Sequence, residues 1–129
     1  MDQEVLVANL KKLAEKLHKS RGRVALLMLL APDVESEDAW NVIVSAKGFD
    51  NRSRANAVRQ FTKLLRENVN KNSWHRIARA TVLKTDDPFV RAINRAFGAS
   101  GPVSNIQSCN ISGVEIPKAI LFQSKRKVA

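Results

Sequence analysis

Leucines recur along the first part of the chain at the spacing of one helix face. Their intervals are four, three and four residues, at Leu6, Leu10, Leu13 and Leu17. Lys11, Lys12, Glu15 and Lys16 lie between them, off that face. Because side chains three and four positions apart share one side of an α-helix, this pattern predicts an amphipathic helix from Gln3 to His18.

Three later stretches have the pattern of strands. The run RVALLMLLA, which begins at Arg23, is almost continuously apolar and predicts a strand buried in the sheet, with a buried helix as the alternative. The polar sequence PDVESED follows it and predicts a surface loop. WNVIVSAK, from Trp40, is rich in β-branched residues and predicts a second strand. RIARATVLK, from Arg76, predicts a third strand.

Two further helices are predicted on either side of the third strand. Apolar residues between Ala57 and Val69 recur at helical spacing and indicate a second amphipathic helix. In TDDPFVRAINRAFG, either Asp86 or Asp87 is the expected N-cap, and Pro88 takes the first helical position. Gly98 is the expected end of this third helix.

The last part of the chain divides at Ser112-Gly113 into two strand-like halves, as in a β-hairpin. Pro117, in the second half, predicts an edge strand because proline has no N–H to donate to a neighbouring strand. The predicted element order is α-β-β-α-β-α-β-β. This order indicates an α+β (mixed α/β) fold, in which a mixed sheet of about five strands carries three amphipathic helices.

Length and composition are those of one folded domain. The 129 residues are expected to form a single globular domain, 1-129, with a short basic C-terminal tail at 124-129. Cys109 is the only cysteine, so no intramolecular disulfide is possible, and a cytoplasmic location is expected. The N-terminus has no signal-peptide pattern, and the apolar run from Val24 to Pro32 is too short to cross a bilayer. No membrane partner is expected.

The chain is strongly basic. It has 22 Lys and Arg against 12 Asp and Glu, a formal net charge of +10. Four of the acids fall in the predicted loop, at Asp33, Glu35, Glu37 and Asp38, so the rest of the chain is more basic than the average. Basic surfaces concentrate polyanions, and nucleic acid is the partner that this excess favours. A solvated basic surface without such a partner is the alternative.

A candidate anion-binding site lies where predicted strands give way to helices. If the second and third strands are parallel, their carboxyl ends meet at one edge of the sheet, where open sheets commonly bind ligands. That edge would gather the following residues: Lys47, Asp50, Asn51, Arg52, Lys84, Asp86 and Asp87. Helix N-termini and lysines there would attract a phosphate or carboxylate. The alternative is that the acids, Asn51 and Ser53 only cap the two helices.

A basic stripe on the second predicted helix extends this site. At 100° per residue, the side opposite the apolar face carries Arg52, Arg59, Lys63 and Arg66. With Lys47, Arg54 and Lys84, these residues form the predicted anion- and nucleic-acid-binding set. The aromatics left to stack on bases are Phe49, Trp40 and Trp74, which is few, so mainly nonspecific electrostatic contacts are expected.

One short motif resembles that of a nuclease family. Pro32-Asp33 and, one strand later, Ser45-Ala46-Lys47 look like the PD-(D/E)xK motif, in which two carboxylates hold a magnesium ion and a lysine assists the attacking water. Ser45 stands in place of the second carboxylate, so one oxygen ligand of the metal is missing. The resemblance implies a degenerate nuclease.

No catalytic residue, metal ligand or cofactor is predicted from the remaining residues. His18 and His75 lack a flanking ligand pattern, and Cys109 lies in an apolar-leaning strand. The leading interpretation is therefore a small, basic, non-catalytic nucleic-acid-binding domain. One alternative is a protein-interaction or accessory-subunit module, including a homodimer, that docks through its first helix or its C-terminal edge strand. The other is an enzyme for a phosphorylated substrate.

Overall fold

The computed structural model describes residues 2–20, 23–33, 35, 39–97, 103–111 and 113–124. Within these ranges the elements in chain order are α1 (Asp2–Ser20), β1 (Val24–Ala31), β2 (Trp40–Ala46), a 3-10 helix (Lys47–Phe49), α2 (Arg54–Asn68), α3 (Lys71–Trp74), β3 (Ile77–Val82), α4 (Pro88–Phe97), β4 (Ser104–Ile111) and β5 (Val114–Ser124). The predicted α+β class and element order are confirmed, and the single-turn helix α3 is an addition. In the described ranges, no helix is long and apolar enough to cross a membrane.

The five strands form one mixed sheet in the order β3-β2-β1-β5-β4. β2 and β3 run parallel, with Val44 beside Val82, because α2 connects them as a crossover. The other neighbouring pairs are antiparallel. The last residues of β2 and β3 consequently lie at one end of the sheet, which we call the carboxyl end. The β1–β2 loop lies at the other end, called here the loop end.

Helices cover both faces of the sheet. On the first face, α1 and α2 pack into one core, which includes Phe61 and Leu65. On the second face, α4 places Val90 and Ile93 in a separate core. All four leucines of the predicted α1 stripe are fully buried in the first core. This apolar face is therefore occupied within the chain and does not form a surface for another chain.

The continuous apolar run is the central strand of this layered structure. Every residue of β1 except Leu30 is buried, because β2 and β5 flank the strand and helices cover both of its faces. The predicted strand is confirmed. A strand in this position contributes side chains to both cores, such as Leu27 to the first and Met28 to the second. That double burial explains why the sequence of β1 does not alternate between apolar and polar residues.

The predicted edge position of the strand that holds Pro117 is wrong. This strand, β5, lies between β1 and β4. The proline is tolerated because the pairing with β1 stops at Ala31, which lies opposite Lys118. At Pro117, one residue further, β5 has passed the end of β1, so the missing N–H interrupts no ladder on that side.

Candidate anion-binding cleft

A cleft of about 270 Å³ opens at the carboxyl end of β2 and β3. It is lined by Phe49, Arg52, Arg54, Ala57, Val82, Leu83, Lys84, Asp86, Asp87 and Pro88. These residues come from the turn between β2 and α2, the first turn of α2, and the connection between β3 and α4. The parallel pairing of β2 and β3 brings these segments together, as the sequence predicts.

The α2 side of the cleft is positively charged. Ser53 caps the helix, and its hydroxyl oxygen accepts a hydrogen bond from the Asn56 backbone N–H at 3.2 Å. No acidic residue lies in the first turn of α2. Arg52 and Arg54 flank the cap, are exposed, and their guanidinium groups have no partner among the described residues. A neutral cap between two unpaired arginines leaves the positive end of the helix dipole uncompensated.

The α4 side of the cleft carries negative charge. A carboxylate oxygen of Asp87 accepts a hydrogen bond from the Phe89 backbone N–H at 2.8 Å. Asp87 is therefore the N-cap, and Pro88 is the first helical residue, as predicted. Asp86 is exposed and has no partner in the described part of the chain. The predicted terminator, Gly98, lies outside the described residues.

Asp50 joins the two sides of the cleft and caps neither helix. Its carboxylate accepts one hydrogen bond from the Thr85 backbone N–H, at 2.9 Å, and another from the Thr85 hydroxyl. These bonds connect the turn before α2 to the turn before α4 across 35 positions of sequence. The sequence predicts Asp50 as a cap or a ligand-binding group and gives no sign of Thr85, because no local pattern indicates a contact between distant turns.

Apolar side chains form the floor of the cleft. Phe49 is 2% exposed and contacts Phe61 edge-on, with 6.4 Å between ring centroids.

The other two aromatics predicted to stack on bases lie outside the cleft. Trp40 is fully buried, and Trp74 is half-buried with the Arg66 guanidinium 5.6 Å from its ring centroid. The prediction that Phe49 and Trp40 are available to stack on bases is therefore wrong. The core needs both large rings, and no exposed platform remains among these three aromatics.

The other predicted basic residues lie near the cleft but do not line it. Lys47 is exposed at the carboxyl end of the sheet, where its backbone N–H donates to the Arg23 carbonyl at 3.0 Å. Arg59, Lys63 and Arg66 are exposed along α2, which leads away from the cleft. We call these three residues the basic ridge. Asn51 is exposed and does not line the cleft.

Both ends of the sheet carry charges of both signs. The carboxyl end carries exposed cations at Lys47, Arg52, Arg54 and Lys84, together with the acids Asp86 and Asp87. The loop end carries the exposed acids Asp33, Glu35 and Glu115, together with the exposed Arg79. The predicted basic residues 125–127 of the tail lie outside the described residues, after Ser124.

The residues of the nuclease-like motif do not meet. Asp33 lies at the loop end and Lys47 at the carboxyl end, so the length of β2, about 20 Å for a strand of this size, separates them. A carboxylate oxygen of Asp33 accepts the Glu35 backbone N–H at 2.9 Å, and Ser45 is fully buried. Nowhere in the described ranges do three His, Cys, Asp or Glu side chains group as a metal site would require.

Comparisons with protein-family models, with curated proteins and with solved structures found no match to this chain.

Proposed function

We propose that the protein is a non-catalytic domain that binds a phosphate-rich polyanion, nucleic acid, through the cleft and the basic ridge. The observation that carries this proposal is the group of unpaired cations Arg52, Arg54 and Lys84 around one cleft. Unpaired cations are available to phosphate oxygens without first breaking an internal ion pair. The exposed acids Asp33, Glu35 and Glu115 lie at the loop end, away from this cleft.

The basic ridge enlarges the surface for such a partner. Arg59 and Lys63 are exposed on α2, whose first turn borders the cleft, and neither side chain has a partner among the described residues. A strand of nucleic acid with one end at the cleft would continue along this helix. Each phosphate that a lysine or arginine neutralises releases counterions, which favours binding at low salt.

The contacts are directed to phosphates more than to bases. Of the three aromatics that could have stacked on bases, two are buried and the third is half-buried beside Arg66. Base stacking would need exposed ring faces, whereas phosphate contacts need only exposed cations. Binding is consequently nonspecific in sequence. A reducing compartment such as the cytoplasm suits a chain whose only cysteine, Cys109, is free.

Fluorescence anisotropy with labelled single- and double-stranded oligonucleotides tests this proposal across a salt series. The parent is compared with Arg59→Glu/Lys63→Glu. Arg66 is left unchanged because its replacement would also remove the contact with the Trp74 ring. We expect micromolar or tighter binding at about 50 mM salt, falling by about 0.9 log units per log unit of salt for each duplex phosphate contacted. The double substitution should weaken it at least tenfold.

The matched control is Arg79→Glu/Arg91→Glu, which changes the net charge equally on β3 and α4. Both residues are exposed, and α4 covers the face of the sheet opposite α2. A control that binds like the parent locates the partner on the α2 side. Equal losses in both variants would show that only net charge matters. No binding at about 0.1 M salt, where the screening length is about 10 Å, would refute the proposal.

A further inference from the structure

We propose that the cleft holds a single nucleoside monophosphate unit, with its phosphate on the α2 side and its base directed to Asp86. The unit is either a free nucleotide or the phosphorylated end of a strand. This inference rests on the proposed function and specifies what the cleft itself recognises. The basic ridge accounts for the rest of the polyanion.

The phosphate half of the site is formed by three cations from two segments. Arg52 and Arg54 come from the start of α2, and Lys84 comes from the end of β3. None of the three side chains has a partner among the described residues. A terminal phosphate monoester carries a charge near −2 at neutral pH and three acceptor oxygens, whereas a phosphodiester within a strand carries −1. Three cations that line one cleft fit the monoester better.

The base half of the site is apolar with one acceptor. Val82 and Leu83, together with Pro88, give the cleft an apolar lining against which a planar ring can pack. Asp86 lies on the same side, is exposed and has no partner among the described residues. A carboxylate only accepts hydrogen bonds, so it favours bases that present an amino group, as adenine, cytosine and guanine do. The one base donor of uracil, N3–H, is flanked by two carbonyl oxygens that repel a carboxylate.

The charge of the α4 side limits what else can enter. Asp86 and Asp87 would repel a second phosphate, so a strand that continued through the cleft in both directions would meet them. The volume of about 270 Å³ lies just below the range of roughly 300 to 1,000 Å³ typical of small-molecule sites. A cleft lined by three cations and two acids therefore suits one nucleotide with a phosphate at one end and donors at the other.

The Asp50–Thr85 hydrogen bonds hold the two halves in register. They join the turn that precedes Arg52 to the segment that carries Lys84 and Asp86. Because both ends of a small ligand must be met at once, this connection reduces the ordering that binding would otherwise require. The two halves thus form one preorganised site.

Isothermal titration calorimetry at low salt tests the inference with AMP, CMP, UMP, adenosine and inorganic phosphate. We expect AMP to bind at least about tenfold more tightly than adenosine or phosphate alone. Arg52→Gln/Arg54→Gln should weaken AMP binding at least about tenfold. Asp86→Asn should bring the preference for AMP and CMP over UMP from severalfold to about one. Arg79→Gln, on β3 outside the cleft, is the control and should leave AMP binding unchanged.

Competition experiments distinguish a free nucleotide from the phosphorylated end of a strand. They also test this inference separately from the proposed function. Oligonucleotides with a phosphorylated or a hydroxyl end are compared in the anisotropy assay, with AMP as competitor. Preference for the phosphorylated end supports recognition of a strand terminus, and AMP binding without that preference supports a free nucleotide. Oligonucleotide binding that ignores both the end group and AMP would overturn this inference and leave the proposed function standing. Absence of both kinds of binding would overturn both.

Discussion

The N-termini of α2 and α4 border the same cleft, but they are capped in opposite ways. Ser53, a neutral side chain, caps α2 between two arginines, whereas Asp87 caps α4 beside a second acid. An acidic cap compensates the positive end of its own helix, and a serine cap satisfies an N–H without adding charge. Two strand-turn-helix segments of similar outline therefore differ in charge. The start of α2 is flanked by two arginines, whereas the turn before α4 carries two acids and Lys84.

The link between these two helix starts matters as much as the difference between them. Asp50 belongs to the first turn and Thr85 to the second, and their two hydrogen bonds hold the oppositely charged sides together. Without this link, each turn would be fixed only by its own strand and helix. Substitutions at the link and at the caps therefore separate three effects: connection of the turns, charge at α2 and charge at α4.

The largest effect is expected from Asp50→Ala. It removes the acceptor of both Thr85 bonds and leaves the half-buried Thr85 without its partner, so the free energy of unfolding should fall by about 2 kcal/mol. Urea denaturation followed by circular dichroism measures this change. Thr85→Ser retains both donors and should remain within about 0.5 kcal/mol of the parent. If Asp50→Ala lowers the free energy of unfolding by less than about 0.5 kcal/mol, the Asp50–Thr85 hydrogen bonds contribute little to stability.

Charge reversal at the start of α2 should have the next largest effect. Arg52→Glu/Arg54→Glu is expected to weaken oligonucleotide binding about 10- to 30-fold and to reduce the salt dependence by about 0.9 log units per log unit, the value for one duplex phosphate. Both residues are exposed, so stability should change little. Anisotropy across a salt series measures both quantities. The opposite result, an unchanged salt slope, would place the phosphates elsewhere.

Ser53→Asp makes α2 resemble α4 and should act oppositely on stability and binding. An acid at this cap interacts favourably with the helix dipole and should stabilise the fold by about 0.3 to 1 kcal/mol. The same charge should weaken oligonucleotide binding several-fold, because it compensates the positive end that the ligand uses. Thermal and urea denaturation are compared with anisotropy. Ser53→Ala, which loses the cap at a cost of about 1 kcal/mol without adding charge, is the control. Parallel changes in stability and affinity would contradict this interpretation.

The reciprocal change, Asp87→Ser, should have the smallest effect. Serine can still accept the Phe89 N–H, so the unfolding free energy should fall by only about 0.5 kcal/mol, through the lost dipole interaction. Removal of one negative charge from the cleft should raise oligonucleotide affinity two- to threefold, roughly the effect of one screened charge. The same anisotropy series detects it. A decrease in affinity would show that Asp87 contacts the ligand and does more than cap α4.

Local patterns in the sequence determined the elements and several of their ends. The leucine spacing of α1, the apolar run of β1, and Asp87 before Pro88 at the start of α4 all correspond to the structure. Gly113 has the positive φ of 82° that the hairpin turn requires. These features depend on residues within about one helical turn or one strand of each other, so helix periodicity, capping and turn geometry are sufficient to predict them.

Only the tertiary structure decided which distant residues meet. It placed β5 inside the sheet, where Pro117 is tolerated because the pairing with β1 ends one residue before it. It buried Trp40 and Phe49, which the sequence left available for bases, and it joined Asp50 to Thr85. Composition and spacing along the chain do not encode such contacts, because they depend on strand order, strand length and the side of the sheet that each helix covers. For that reason the sequence predicted the edge where the ends of β2 and β3 meet, whereas only the fold decided which side chains line the cleft there.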